Sequence, residues 1–152
     1  TIIMSLDISI KANIPVVKNG TGIFIRENGK TKELTIEEAN ANGFYVNDNQ
    51  YVSEYAWTGN ITHNLGQMAS NVTPVGKPYT LYSLLWGGKY KSCRDLIGKL
   101  HACILYMLMN KEELKKYNPE NGWGTYEQLL EFTKEFQMAC IDNQDCKIKI
   151  YK

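Results

Sequence analysis

The sequence predicts an α+β fold in which an antiparallel β-sheet packs against about four helices on one face. Three observations predict it: residues 1–57 are rich in strand patterns, residues 60–142 carry apolar side chains at helical spacing, and residues 146–151 alternate again. Because the last alternating segment is too short to form a sheet alone, we expect it to return to the N-terminal strands. The 152 residues then form a single domain.

The composition is that of a globular protein and argues against several functional classes. Hydrophobic residues make up 43% of the chain and charged residues 22%, which argues against disorder. The net charge of +1 gives no basic excess, so extended nucleic-acid binding is not expected. No run reaches the roughly 20 apolar residues of a membrane-spanning helix, and the first residues show no secretory signal. We therefore expect a cytoplasmic protein.

Strand patterns dominate the first third of the chain. Residues 2–12 alternate between apolar and polar side chains, which predicts an edge or half-buried strand, and residues 14–17 continue in β character. An Asn-Gly turn signal within residues 27–30 predicts a hairpin between residues 22–26 and 31–36.

A short helix and a second hairpin are predicted next. Thr35 with Glu38 three residues later is a capping-box pattern for a helix over residues 36–41. Residues 44–46 and 51–57 flank a polar turn and predict the second hairpin.

Helical spacing begins after Asn60. Helices are predicted over residues 62–70, 79–86, 92–107 and 125–140, with a separate turn over 111–117. Asn60 and Thr62 are the N-cap candidates of the first, and Ser92 of the third. Thr125 with Gln128 forms a capping-box pattern at the start of the last.

The four cysteines, Cys93, Cys103, Cys140 and Cys146, form no C-x-x-C pair. In a cytoplasmic protein they are expected to be reduced and mostly buried, whereas secretion would allow a Cys140–Cys146 disulfide. With two histidines and no short cysteine spacing, the sequence predicts no metal site, and no pattern predicts a cofactor.

The first candidate site is the strand-to-helix junction that contains Asn60, Thr62, His63 and Asn64. A helix N-terminus offers free backbone N–H groups and partial positive charge, which suit a phosphate or a carboxylate. His63 is the weak catalytic candidate, as a general base. Alternatively, Asn60 and Thr62 only cap the helix.

The second candidate site is the turn Asn121, Gly122, Trp123 and Gly124, followed by Tyr126. The two glycines predict a tight turn that lets a ligand approach the backbone. Trp123 and Tyr126 offer aromatic faces for a planar ring such as a nucleobase. Alternatively, Trp123 plugs the core.

We expect the two turns to converge, with Tyr82 presenting its hydroxyl to the shared site. No catalytic motif is present, and a pairing of His63 with Cys93 or Cys140 has no local pattern behind it. Glu127 and Glu131, one helical turn apart, are expected to be a solvated face rather than an acid/base pair.

The chain resembles a widespread family of small, largely uncharacterised proteins from bacteria and their phages. The resemblance rests on residues 4–7, 60–69 (N-I-T-H-N-L-G-Q-M-A), 81–86 (L-Y-S-L-L-W), 118–127 and 139–140. The chain departs from the family where Gly87-Gly88 replaces a frequent Arg-Pro, and in the greater length of residues 11–56. The resemblance implies a phage or bacterial origin and a cytosolic setting, which is the host cytoplasm if phage-encoded. It brings no established activity.

Together these patterns predict an accessory protein that binds a small polar or nucleotide-like ligand without catalysis. One alternative is a structural or host-interaction protein, such as a virion component, with no small-molecule site. A second is a small hydrolase or transferase that uses His63. No membrane partner is expected, and a homo-oligomer is left open.

Overall fold

The computed structural model describes residues 5–28 and 30–152. Its strands are β1 (Ser5–Asn19), β2 (Phe24–Glu27), β3 (Lys30–Glu33), β4 (Gln50–Thr62) and β5 (Lys147–Tyr151). Its α-helices are α1 (Ile36–Ala41), α2 (Gly66–Ser70), α3 (Leu81–Leu85), α4 (Cys93–Met109), α5 (Lys111–Lys115) and α6 (Tyr126–Asp142). A 3-10 turn over His63–Leu65 leads into α2.

The main sheet is antiparallel with the strand order β4-β1-β5, and β2 and β3 form a separate hairpin. Strand β5 pairs with β1 from Asp7↔Tyr151 to Lys11↔Lys147. The predicted α+β class and the returning C-terminal strand are therefore confirmed.

Alternation in β1 divides the sheet into an apolar and a polar face. Leu6, Ile8 and Ile10 are fully buried, whereas Asp7 and Ser9 point to the opposite face. The apolar face joins one core cluster with side chains of helices α2 to α6. Each of these buried aliphatic side chains stabilises the fold by about 1.5–3 kcal/mol relative to an exposed one.

The predicted capping boxes are present. Thr35 accepts a hydrogen bond from the Glu38 N–H at α1, and Thr125 accepts one from the Gln128 N–H at α6. Ser92 precedes α4, but its side chain makes no capping hydrogen bond.

The predicted second hairpin is wrong. Residues 44–49 form no strand, and β4 pairs with β1 instead, with Val17 opposite Val52 and Ser5 opposite Thr62. Local alternation shows that a segment is extended but does not identify a distant partner. Asn60 consequently lies inside β4 and does not cap a helix, whereas Thr62 does, through the Asn64 N–H.

The first predicted hairpin is confirmed as β2–β3, with Asn28 at a positive φ of 52°. Its predicted turn residue Gly29 lies outside the described residues, as do residues 2–4 of the predicted first strand. The four cysteines are all buried, as expected. Within the described residues, no helix is long and apolar enough to cross a membrane.

Candidate functional site

The two predicted turns meet at Gly124. A Cβ atom placed on Gly124 would lie 2.8 Å from Leu65 Cγ and 3.0 Å from Thr62 Cγ2. Gly124 is buried and has a φ of +115°, a conformation that residues with side chains rarely adopt. The turns therefore pack against each other through backbone and apolar atoms at this point.

His63 is engaged with the aromatic side chains of α3 and its end. Its Nδ1 accepts a hydrogen bond from the Trp86 indole N–H at 2.9 Å. The Trp86 ring stacks on Tyr82 with 5.1 Å between the ring centroids and 6° between the planes. The bond requires an unprotonated Nδ1, so the neutral imidazole carries its proton on Nε2. His63 thus supports Trp86, which is itself buried.

The side chains of the second turn point in different directions. Trp123 is 57% exposed, and its backbone N–H donates to Asn121 Oδ1 at 2.9 Å. Tyr126 is buried, and its hydroxyl donates to the Met107 carbonyl at 2.6 Å. The expectation that Tyr126 stacks a ligand is therefore corrected: its ring belongs to the core. Asn64 and Gly122 are exposed.

Replacing His63 by alanine should lower the free energy of unfolding by about 1–3 kcal/mol, because it leaves a buried indole N–H without its acceptor. His63→Asn is the matched control, since the Asn Oδ1 can stand near the position of Nδ1 and should recover part of the loss. Urea denaturation, monitored by circular dichroism, measures the free energy of unfolding of both variants. An unchanged stability in His63→Ala would return His63 to the candidate ligand-binding and catalytic groups.

An open groove of about 860 Å³ lies beside these turns, along strand β4. Its floor is residues 57–62 of β4 with residues 7–9 of the adjacent β1. One wall is helix α6, and the other is the β2–β3 hairpin with Phe24 and Thr31. We call it the β4–α6 groove. Of the predicted site residues it contains Asn60 and Thr62, whereas the remaining ones lie outside its lining. Asn60 ties the floor to the hairpin, since its Nδ2 donates to Thr31 Oγ1 at 2.6 Å.

Carboxylates dominate the charge of the β4–α6 groove. Four acidic side chains line it: Asp7, Glu127, Glu131 and Glu135. Within the described part of the chain, no lysine or arginine is among its lining residues. Lys115, outside the lining, comes within 3.4 Å of Glu127 Oε1. The Glu127 backbone N–H and then Lys115 hold the pKa of this carboxyl below its ordinary value, so it stays ionised at neutral pH.

Aromatic rings form the inner part of the same groove. Trp57 stacks on Phe136 at 5.4 Å and contacts Phe132 at 5.9 Å between ring centroids. These contacts fix α6 against β4 and leave Trp57, Phe132 and Phe24 along the lining. A groove with aromatic walls and carboxylates at its border suits a ligand with positively charged groups.

Sequence reasoning missed this groove. The signal available was the repeat of Glu127, Glu131 and Glu135 at every fourth residue, which places three carboxylates on one face of a helix. The sequence predicts a solvated face for Glu127 and Glu131 alone, and all three side chains are exposed. In the structure this face lines the same groove as residues 57–62 of β4.

The cysteines do not form a nucleophile pair with His63. The Cys140 thiol hydrogen-bonds Cys93 and lowers the Cys93 pKa, while the same contact and burial raise the pKa of Cys140. Burial raises the pKa of Cys103 to about 12. Within residues 5–28 and 30–152, no group of three metal-ligating side chains is close enough to hold a metal ion.

Comparison of the chain with protein-family models, with curated proteins and with solved structures finds no match. The resemblance to small bacterial and phage proteins therefore stays a prediction.

Proposed function

We propose that this protein is a non-catalytic binding protein that holds a small polar ligand with positive charge in the β4–α6 groove. The observation that carries the proposal is the lining itself, which has four carboxylates and no lysine or arginine among the described residues. This proposal agrees with the predicted binding of a small polar ligand. A nucleotide is not expected to bind, because the carboxylates of the groove would repel its phosphates.

The chemistry of the groove supports an amine-bearing ligand. Ammonium groups form charge-assisted hydrogen bonds with carboxylates, and they are also attracted to the faces of aromatic rings. Asn60, Thr62 and Thr58 add polar side chains along the floor. The aromatic rings inside the groove and the exposed carboxylates can therefore bind the same type of ligand.

The absence of catalysis is part of the proposal. The lining of the groove in the described residues contains neither histidine nor cysteine. His63 is held by Trp86 outside it. The assignment to a phage or bacterial accessory protein depends on the sequence resemblance alone.

Isothermal titration with spermidine and, separately, with ATP tests the proposal. We expect spermidine to bind and ATP to give no binding heat. Binding should weaken as salt rises, because the exposed carboxylates are screened. The double substitution Glu131→Gln with Glu135→Gln should weaken spermidine binding about fivefold to tenfold, as two exposed charges are removed.

The matched control is Asp142→Asn, which removes an exposed carboxylate from α6 outside the groove. It should leave the spermidine affinity unchanged. Binding of ATP, or equal loss in the control and the double variant, would contradict the proposal.

A further inference from the structure

The floor of the β4–α6 groove is an open edge of the main sheet. Strand β4 lies at the end of the order β4-β1-β5 and pairs with β1 on one side. On its other side, no strand among residues 5–28 and 30–152 pairs with residues 57–62. In such an edge strand, alternate residues direct their N–H and C=O groups outward, where they can pair with an added chain.

Helix α6 runs alongside this edge in the opposite direction. Gly124, just before the helix, contacts Thr62, and the Phe132 ring lies beside Gly59. Farther along, Phe136 stacks on Trp57. The helix therefore follows the strand from residue 62 back to residue 57 and forms one continuous wall.

The carboxylates on this wall are spaced as the side chains of an extended chain would require. Glu127, Glu131 and Glu135 follow one another at four-residue intervals, which is about 6 Å along a helix axis. Side chains on one face of a strand recur every second residue, which is about 6.6 Å. Alternate side chains of a chain laid along β4 would each meet one carboxylate.

We propose that the β4–α6 groove binds an extended peptide segment, with lysine or arginine at alternate positions, which adds as a strand to the edge of β4. The basic side chains face α6. The intervening side chains face the hairpin, where the half-exposed Phe24 favours apolar groups. This inference rests on the proposed function and narrows its ligand to a main chain that supplies hydrogen bonds.

The probe is a short fluorescein-labelled peptide of alternating lysine and valine, and fluorescence anisotropy measures its binding to the full chain. Two further peptides carry N-methyl groups, one on its lysines and one on its valines. In an extended chain the N–H groups of these two sets point to opposite sides. One methylated peptide should bind within about threefold of the parent, and the other at least about a hundredfold more weakly, because several hydrogen bonds are lost together.

Glu131→Lys should weaken binding of the parent peptide about tenfold or more, whereas Asp142→Lys, outside the groove, should leave it unchanged. Equal affinity of both methylated peptides would overturn strand addition, and this comparison needs no variant protein. Binding of spermidine without binding of the peptide would also overturn it, while leaving the proposed function intact. If neither binds, both proposals fail.

A second copy of this chain is the competing occupant, since β5 alternates lysine and isoleucine over residues 147–150. Sedimentation velocity distinguishes this occupant from a peptide by measuring the oligomeric state of the protein. A protein that stays monomeric at the concentrations of the peptide assay supports the proposal. Self-association that the peptide cannot reverse would assign the groove to the second copy and overturn the proposal.

Discussion

Replacing Phe136 by alanine should lower the free energy of unfolding by about 3–5 kcal/mol, the range for removal of a buried aromatic ring. Phe136 is fully buried, and its ring stacks on Trp57. Its loss leaves a cavity and also removes the support that holds the indole in the groove. Urea denaturation measures the stability, and spermidine titration of the folded variant should show weakened binding.

Phe44→Ala is the control for this prediction. Phe44 is 45% exposed and lies in the segment between α1 and β4 that forms no strand. Its replacement should change stability by less than about 1 kcal/mol. A similar loss in the two variants would mean that the Trp57–Phe136 stack does not hold α6 against β4.

Replacing Gly124 by alanine should cost about 2–4 kcal/mol, because two penalties combine. The backbone conformation at φ +115° is unfavourable for alanine, and the new methyl group would overlap Leu65, which is fully buried and cannot move aside. The expected result in thermal unfolding is a clear fall of the midpoint.

Gly122→Ala separates the two penalties. Gly122 also has a positive φ, of +76°, but a Cβ there would have no heavy atom within 4 Å. It should therefore cost only about 1 kcal/mol, from the backbone conformation. If Gly122→Ala were as destabilising as Gly124→Ala, the close approach of the two turns would not be the cause.

Local signals gave reliable predictions where the structure itself is local. The capping boxes at Thr35 and Thr125 depend on residues three positions apart, and both are present. Strand β4 depends on a partner more than thirty residues away, at β1. Alternation indicates the strand but favours the nearest alternating segment as its partner, and the predicted second hairpin is therefore wrong.

The candidate site could also be predicted only in part. Gly124 does bring the two turns together, but they meet there through packed backbone and apolar atoms. Tyr126 begins the buried stripe that continues through Leu129, Thr133 and Phe136, so its helical spacing was already a sign of a core position. The groove could not be predicted from one segment, because its lining comes from four separate parts of the chain: β1, the β2–β3 hairpin, β4 and α6.

The two walls of the groove differ in how firmly they are attached. Helix α6 belongs to the main core, whereas the hairpin and α1 bury few side chains of their own, chiefly Leu34 and Ala39. Side-chain contacts such as Asn60 to Thr31 join the hairpin to the sheet. A partial opening that releases this wall therefore costs less free energy than global unfolding. For the proposed peptide ligand, such an opening would let an internal segment of a longer chain reach the edge of β4 from the side, without a free end.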